Sequence, residues 1–532
     1  MTPADPIAAL RAAIADAADE LAGAPPATAA SLERPPRAEF GDFSTNAAML
    51  LAPVLGDQPR AIAERLGAVL SDTLGTDVER VDVAGPGFLN LFMSDAWFRR
   101  ALTEMDVADW GGGRAEPRER VLVEFVSANP TGPITAASGR HAAFGDALAR
   151  LLEFAGHEPT REYYVNDTGS QVLRFGASII ARARGEEPPE DGYRGDYVRE
   201  LAEQIPGAAD GDPDEVAKAG VELMVESIAA TLDRFRVHMD SFFSERSLYE
   251  AGAVERAQEQ LAEAGLVYES EGATWLRTTQ LGDDKDRVLR RSGGDVTYFG
   301  SDIAYHADKL RRGFDRAINL LGADHHGYNA RIKAAWQALG GDPDHFEIII
   351  MQLVNLTEGG RQTQMSKRQG QFVTLDELVD DIGVDAARFF LLQRSHDTTL
   401  DLDLTLAREQ SQDNPVYYVQ YAHARIASIL RRAEAVPDAT APAHEELHPS
   451  ARSLIKALLE FPAEIDSAVE LRAPHRLTTY ARELAQQFSA FYRDVKVVGT
   501  PEEAFRLALS VQTQRVIARS LELLGVSAPE EM

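Results

Sequence analysis

The chain has 532 residues, too many for a single hydrophobic core, and this length predicts three or four domains. Its 44% hydrophobic and 26% charged residues are typical of a soluble globular protein. It has no cysteine, which excludes disulfides, thiolate zinc sites and cysteine nucleophiles and favours a cytoplasmic location. No apolar run approaches the ~20 residues that span a bilayer, so no membrane is expected. The net charge of −30 taken alone argues against a nucleic-acid ligand, although an acidic, salt-adapted surface would give the same charge.

Residues 1–104 are predicted to form a separate N-terminal domain with helices and strands. Asp42 and Ser44 are candidate caps for a helix that starts near Thr45. Apolar spacing and turn residues further predict a helix and a pair of strands around a Gly-Pro-Gly turn, at Pro6–Ala22 and Val81–Phe92. Glycine, proline and charged residues without periodicity then predict a linker over 103–120.

The stretch Val121–His141 predicts a strand, a tight loop and a helix. The strand is the apolar run Val121–Val126, and no helix can continue through Asn129–Pro133. Apolar residues then recur at steps of three and four up to Gly156, where a helix stop is expected. Such a half-unit can present backbone N–H groups to a phosphate, but an ordinary crossover in any parallel α/β sheet has the same form.

The same alternation predicts a parallel-sheet α/β domain over residues 118–404. Later strands are expected at Glu162–Val165, Ala273–Arg277, Ala317–Leu321 and Phe346–Leu356. Residues 184–296 are acidic and rich in turns, which predicts an insertion into this domain. Thr374 with Glu377 predicts a capping box at the start of a helix. Residues 405–532 predict a helical bundle, in which one helix face carries Val416, Val419, Gln420, His423 and Ile426.

These segments together resemble the arginyl-tRNA synthetases, a family of class I aminoacyl-tRNA synthetases. The resemblance rests on the order and spacing of SANPTGP, YYVNDTGSQ, SDIAYHADK, GADHHGY, QMSKR and NPVYYVQYAHAR, with GDFSTNAA and AGPGFLN near the start and LLGVSAP at the end. It covers essentially the whole chain. It implies an α/β fold with a Rossmann-like parallel-sheet catalytic domain carrying an insertion, an N-terminal α+β tRNA-binding domain, and a C-terminal all-α anticodon-binding bundle.

The resemblance also implies a reaction and its partners. L-arginine is activated by ATP, supplied as its Mg²⁺ complex, to arginyl-adenylate, and the arginyl group is then transferred to the 3′-terminal adenosine of tRNA(Arg). In this family the first step usually requires bound tRNA. No tightly bound metal is implied, and a monomer is expected.

Motif positions imply an arginine pocket. Guanidinium is a planar cation with five N–H donors, so its pocket needs carboxylates and other acceptors. By resemblance, Tyr298 and Asp302 hold the guanidinium with His326 nearby, and Glu124 and Asn129 face the α-amino and carboxylate end. The structural alternatives are that Tyr298 packs inward, that Asp302 caps a helix, and that His326 is a packing or surface residue. Asp302 suits a cationic side chain, so a synthetase specific for another amino acid is a less favoured interpretation.

The segment Gln364–Arg368 resembles the Lys-Met-Ser-Lys-Ser signature of class I enzymes. Lys367 matches its second lysine and is implied to be catalytic, because an ammonium there can neutralise charge on the ATP phosphates during in-line displacement. Met365 and Ser366 are implied to bind ATP with it. The first lysine of the signature is replaced by Gln364. An exposed surface loop is the alternative interpretation.

The first signature of the family departs from its usual form. The pattern His-x-Gly-His falls on Thr135–Ser138, where both histidines and the glycine are absent. One hypothesis is that the hydroxyls of Thr135 and Ser138 are catalytic and bind ATP with Gly139, His141, the helix N-terminus and Arg140. The alternative is a catalytically weakened, synthetase-like protein that binds tRNA or arginine without efficient adenylation, because losing one such donor typically costs about 10²–10³ in rate.

A basic path for tRNA is expected on the C-terminal bundle in spite of the overall charge. The candidates are all arginines, and some of them are expected to pair with neighbouring acids instead. They are Arg425, Arg431, Arg432, Arg452, Arg472, Arg476, Arg482 and Arg493.

Overall fold

An antiparallel sheet packed against helices forms the N-terminal part of the chain. The computed structural model describes residues 5–23, 28–35, 37–323, 328–362 and 373–532. In chain order the first elements are α1 (Pro6–Ala22), β1 (Leu32–Glu33), β2 (Phe43–Thr45), α2 (Ala47–Leu55), α3 (Pro59–Leu74), β3 (Val78–Ala84), β4 (Phe88–Met93) and α4 (Asp95–Glu104). The sheet order is β1–β2–β4–β3. The predicted first helix and the strand pair around the Gly-Pro-Gly turn are confirmed.

The prediction that Asp42 or Ser44 caps a helix near Thr45 is wrong. This segment is β2, and α2 starts after it. Asp42 instead accepts hydrogen bonds from the backbone N–H of Met93 (2.9 Å) and from the ammonium of Lys456 in the C-terminal part of the chain (2.8 Å). The carboxylate that looked like a cap therefore joins two regions that are distant in sequence.

A five-stranded parallel sheet lies at the centre of the chain. The elements of this region are β5 (Arg120–Glu124), α5 (Ala136–Ala155), β6 (Glu158–Val165), α6 (Gly169–Ala183), α7 (Asp196–Gln204), α8 (Pro213–Arg234), β7 (Ser241–Ser244), α9 (Glu245–Glu250), α10 (Ala253–Glu263), β8 (Val267–Ser270), β9 (Ala273–Leu276), β10 (Arg287–Arg290), α11 (Tyr298–Arg311), β11 (Arg316–Gly322), α12 (Asn329–Ala338), β12 (Phe346–Met351), β13 (Val354–Glu358), β14 (Arg361–Gln362), α13 (Leu375–Leu392), β15 (Leu400–Asp403) and α14 (Leu404–Arg408). The central order is β12–β11–β5–β6–β7, and every neighbouring pair is parallel. All five carboxyl ends therefore lie along one edge, where open α/β sheets bind ligands.

Two sequence predictions need correction in this region. The predicted insertion at 184–296 contains β7, which pairs with β6 and forms an edge of the central sheet. The rest of that stretch includes a small antiparallel sheet of β8, β9 and β10. The single strand predicted at Phe346–Leu356 is two strands in two different sheets, because β13 pairs with β14 and β15 rather than with β11.

The strand, loop and helix predicted after residue 120 are confirmed. β5 is buried on both faces, and α5 ends at Gly156, which adopts a left-handed φ of 111°. Helix and strand approach closely, because a Cβ built on Gly145 of α5 would lie 2.2 Å from the ring of Phe125. Glycine at this position lets α5 pack directly on the exit of β5.

Helices make up the C-terminal part of the chain, as predicted. They are α15 (Pro415–Arg432), α16 (Pro449–Leu459), α17 (Phe461–Glu470), α18 (His475–Asp494) and α19 (Glu503–Leu523). The predicted inward face of α15 is buried at all five positions, and the capping box of Thr374 and Glu377 is present at α13. Within the described ranges, none of the helices is both long enough and apolar enough to cross a membrane.

Candidate active site

The loop after β5 is held in a strained shape at the carboxyl edge of the central sheet. Val126 and Ser127 have φ angles of 66° and 40°, which non-glycine residues rarely adopt. The Ser127 hydroxyl accepts a hydrogen bond from the N–H of Tyr164 (3.1 Å), and the Ala128 carbonyl accepts one from the hydroxyl of Tyr163 (2.7 Å). The end of β6 thus fixes the turn, and strain of this kind concentrates at functional sites.

Glu124, the last residue of β5, forms a buried ion pair. The ammonium of Lys309 on α11 lies 2.5 Å from Glu124 Oε2 and 2.9 Å from Asn319 Oδ1. Glu124 and Asn319 are register partners on β5 and β11, so the ammonium bridges two central strands. Glu124 is 7% exposed and Lys309 is 0% exposed. The expected role of Glu124 at the α-amino end of arginine stays a prediction.

Three carboxylates, Glu124, Glu245 and Asp302, form what we call the carboxylate cluster. Glu245 begins α9 directly after β7, and Asp302 lies on α11. Burial, followed by repulsion from Glu245 and Glu124, raises the pKa of the Asp302 carboxyl well above its ordinary value. Burial also raises the pKa of Glu245; hydrogen bonds with the Thr168 and Ser301 side chains oppose this rise, and the Asp167 carboxylate adds to it. Such a cluster favours a cation at its centre.

Two buried polar atoms, one in the carboxylate cluster and one beside it, have no hydrogen-bond partner within the part of the chain that the structure describes. They are Oε2 of Glu245, a residue 3% exposed, and the hydroxyl of Tyr164, a residue 9% exposed. Tyr164 lies close enough to Glu245 and Asp302 for both carboxylates to raise the pKa of its hydroxyl, after the larger effect of burial. Unsatisfied buried polar groups cost about 1–3 kcal/mol, so a ligand with N–H donors would be stabilised here.

The structure also describes the other predicted arginine residues, Tyr298, Asp302 and Asn129. Tyr298 is 65% exposed and its hydroxyl accepts a hydrogen bond from the side-chain amide of Asn166, so the alternative that it packs inward is wrong. Asp302 does not cap α11, because Thr297 does so by accepting from the N–H of Gly300. Asn129 is exposed, and its amide donates to Gln171 Oε1 (2.8 Å). Their roles toward arginine stay predictions.

The hydroxyls that replace the missing histidines both lie at the start of α5. Thr135 is the N-cap, and its oxygen accepts from the backbone N–H of Ser138 (3.2 Å). The two hydroxyls are also hydrogen-bonded to each other (3.1 Å). They therefore stand where a phosphate-binding pair was expected, but one of them also stabilises the helix.

The N-terminus of α5 is partly covered by the strand-like segment before α13. The N–H of Ala136 donates to the carbonyl of Val373 (2.8 Å), and the N–H of Leu375 donates to the carbonyl of Ile134 (2.8 Å). Thr135 and Thr374 form an antiparallel bridge here. Two N–H groups in the first turn of α5, those of Ala136 and Ser138, therefore already have acceptors within the protein.

The next residues of α5 differ in their surroundings. A Cβ on the buried Gly139 would lie 2.7 Å from Leu375 Cδ1, so this glycine permits packing on α13. Arg140 is 1% exposed, and its guanidinium donates to the carbonyls of Gln352 (2.9 Å) and Ser395 (2.8 Å). Burial lowers the pKa of Arg140 to about 10. The expectation that Arg140 binds phosphate is therefore wrong, whereas His141 is half-buried and stays a candidate.

Four predicted site residues lie outside the described residues. They are His326, Met365, Ser366 and Lys367.

Sequence reasoning missed Glu245, Lys309 and Tyr164. Lys309 could have been found, because it is one of seven lysines and lies seven residues after Asp302, on the same face of a helix. Glu245 gave no such signal, since it falls in a stretch interpreted as an insertion. Tyr164 lies in the motif YYVNDTGSQ, but its place in a predicted strand gave no indication of a role in the site.

A groove of about 880 Å³ runs between α15 and α18 at the C-terminal end of the chain. Arg425 lies over two aromatic rings, 4.6 Å from the centroid of Tyr421 and 5.3 Å from that of Tyr492. Arg432 and Lys496 line the same groove. Basic residues beside aromatic rings suit single-stranded nucleic acid.

Five of the eight arginines proposed for a basic path pair with acids instead. The pairs are Arg431–Glu531 (3.6 Å), Arg452–Asp95 (2.7 Å), Arg472–Glu347 (2.8 Å), Arg476–Glu464 (3.0 Å) and Arg493–Asp494 (2.8 Å). Arg425, Arg432 and Arg482 form no ion pair with the residues that the structure describes. Fewer arginines are therefore available for a basic path than the sequence indicated.

Sequence models of known families match most of the chain. The model for the class I tRNA synthetase catalytic domain specific for arginine matches residues 104–187 and 200–424. The chain belongs to the arginyl-tRNA synthetase family. The arginyl-tRNA synthetase N-terminal domain model matches residues 8–93, and the DALR anticodon binding domain model matches residues 419–532. The expected class I α/β fold with two appended domains is confirmed.

Individual members of the arginyl-tRNA synthetase family are similar over the full length. An arginine–tRNA ligase of Frankia alni is 48% identical, and the similarity covers 100% of both chains. One of Shouchella clausii is 45% identical over 94% of both chains. The crystal structure of Thermus thermophilus arginyl-tRNA synthetase superposes with a TM-score of 0.77 at 26% identity and covers 100% of both chains.

Proposed function

We propose that this protein is an arginine–tRNA ligase that activates L-arginine with ATP and transfers the arginyl group to the 3′-terminal adenosine of tRNA(Arg). Family membership and relatives at 45–48% identity support the reaction. The observation that carries the substrate assignment is the carboxylate cluster with its two unsatisfied buried acceptors. A guanidinium supplies five N–H donors for the unsatisfied acceptors and one positive charge for the carboxylates.

The arginine site follows from this match. Asp302 and Glu245 accept hydrogen bonds from the guanidinium, and the hydroxyls of Tyr298 and Tyr164 complete its surroundings. The position of Glu124 beside Asp302 favours a role at the guanidinium end rather than at the α-amino end first expected. In this proposal Asn129 contacts the α-amino and carboxylate groups.

ATP enters as its Mg²⁺ complex and lies beside the start of α5. An oxygen of the arginine carboxylate attacks the α-phosphorus, the bond to the bridging oxygen breaks, and pyrophosphate leaves. Thr135 and Ser138 donate hydrogen bonds to phosphate oxygens in place of the two missing imidazoles. By the family resemblance, the ammonium of Lys367 neutralises charge on the same phosphates during the displacement.

The tRNA contacts both appended domains. The groove around Arg425 and Tyr421 offers a stacking surface and positive charge to unpaired anticodon bases. A working monomer is part of the proposal. The absence of cysteine supports a cytoplasmic location.

The test is the formation of arginyl-tRNA by the purified chain with arginine, ATP, Mg²⁺ and tRNA(Arg). Citrulline, a neutral amino acid of nearly the same shape as arginine, is the matched control substrate and should give no product. A folded protein that binds arginine and tRNA without product above background would favour the alternative of a catalytically weakened relative.

A further inference from the structure

Lys309 is a buried cation whose presence needs a physical reason. Taking an ammonium and a carboxylate out of water costs several kcal/mol per ion, and a buried pair is often no more stabilising than apolar residues of similar size. The Lys309 side chain is fully buried, yet it is one of only seven lysines in the sequence. Stability alone is therefore a weak explanation for it.

Lys309 fixes one oxygen of Glu124, and the other accepts a hydrogen bond from the loop after β5. Oε2 is held by the ammonium, which Asn319 holds in turn from the next strand. Oε1 lies 3.4 Å from the Ser127 hydroxyl on the strained loop. The carboxylate is thus oriented across the carboxyl edge of the sheet.

The charge of Lys309 also acts on Asp302. Repulsion by Glu245 and Glu124 raises the pKa of the Asp302 carboxyl beyond the larger effect of burial, and Lys309 and Arg331 lower it. A protonated carboxyl cannot accept two N–H donors from a guanidinium, because one oxygen carries a hydrogen. Bidentate binding of the guanidinium by Asp302 therefore requires the ionised carboxylate.

We propose that Lys309 is a positioning residue for arginine, whose ammonium orients Glu124 and places a positive charge beside the carboxylate cluster that binds the substrate guanidinium. The proposal rests on the arginine site described above and adds a residue to it. The ionisable groups of the cluster, and those that face it or Lys309, come from five elements. They are Glu124 on β5, Glu162, Tyr164 and Asp167 on or after β6, Glu245 and Tyr249 on α9, Tyr298, Asp302, Tyr305, His306 and Arg312 on or after α11, and Arg331 on α12.

The test is the pH dependence of the KM for arginine in Lys309→Met, measured by aminoacylation at saturating ATP and tRNA between pH 6.5 and 8.5. Removing the Lys309 charge removes an interaction that lowers the pKa of the Asp302 carboxyl, so that pKa rises further. We expect a KM at pH 7 at least about tenfold above wild type that falls toward the wild-type value as pH rises. Titration of the arginine α-amino group affects both proteins equally.

Lys456→Met is the matched control, because Lys456 is also a buried lysine that pairs with a carboxylate, Asp42 at 2.8 Å. It should leave the KM for arginine and its pH dependence unchanged. Lys309→Arg keeps the charge, so it should show the wild-type pH dependence even if its KM differs. If Lys309→Met does not fold, the pH dependence of Lys309→Arg tests the proposal instead.

An unchanged KM in folded Lys309→Met, or a pH profile of Lys309→Arg displaced to higher pH, would overturn the proposal. Wild-type protein without any arginyl-tRNA product would instead overturn the proposed function. The two failures are therefore distinguishable in one set of assays.

Discussion

Asp302→Asn changes one atom of the carboxylate cluster and removes one negative charge. Asn keeps the shape of the side chain but offers one acceptor oxygen instead of two. Hydrogen bonds to charged groups contribute about 1.5–3 kcal/mol, and each 1.4 kcal/mol is tenfold in affinity. The KM for arginine is therefore expected to rise about 10- to 150-fold, with a smaller change in kcat at saturating arginine.

The assay is arginyl-tRNA formation at pH 8, where the raised pKa of the Asp302 carboxyl interferes least with the wild-type reference. Asp308→Asn is the matched control on the same helix, because Asp308 pairs with Arg312 (2.9 Å) rather than with the cluster. It should change the KM for arginine less than twofold. A KM for Asp302→Asn within twofold of wild type would refute the assignment of the cluster to the guanidinium.

Two further predictions concern packing and tRNA binding. Gly145→Ala places a Cβ 2.2 Å from the Phe125 ring and should lower the free energy of unfolding by about 1–3 kcal/mol in urea denaturation. Gly67→Ala, whose nearest contact is 3.3 Å, is the control, and equal stabilities of the two variants would contradict the packing argument. Arg425→Ala should raise the KM for tRNA about 5-fold or more through a lost stacking contact of about 1–3 kcal/mol. The already paired Arg493→Ala should not, and equal effects would remove the groove from the tRNA surface.

Local patterns in the sequence predicted local structure well. The helix α5, the capping box of Thr374 and Glu377, and the inward face of α15 each depend on residues within a few turns of one another. Such patterns report propensity and amphipathicity directly. The family resemblance predicted the overall architecture, because the order and spacing of several motifs together are specific even when each motif alone is not.

Features that depend on distant contacts could not be predicted in the same way. β7 is four residues long and is recognisable as a sheet strand only through its pairing with β6. Arg140 looked like a phosphate ligand by its place at a helix start, but the carbonyls that hold it come from residues 352 and 395. Glu245 joins the carboxylate cluster only because β7 delivers it to the edge of the sheet.

The segment Thr135–Ser138 shows both what the sequence predicted and what it could not predict. Its strand, loop and helix were predicted, and Thr135 and Ser138 were recognised as the positions of the missing histidines. The sequence did not show that Thr135 is also the helix cap or that Val373 already occupies an N–H of the first turn. The hydroxyls therefore have a structural role that any test of catalysis must separate from a chemical one.

The most direct test of the account compares the rate of arginyl-tRNA formation by wild type with that of Thr135→Ala/Ser138→Ala. The helix cap contributes about 0.5–2 kcal/mol to stability, so thermal unfolding is measured alongside, and Thr135→Ser serves as a control that keeps a capping hydroxyl. The account predicts an active wild type and a folded double variant whose kcat is lower by about 10²–10³. A double variant with full activity would contradict it, because the two hydroxyls could then not replace the imidazoles.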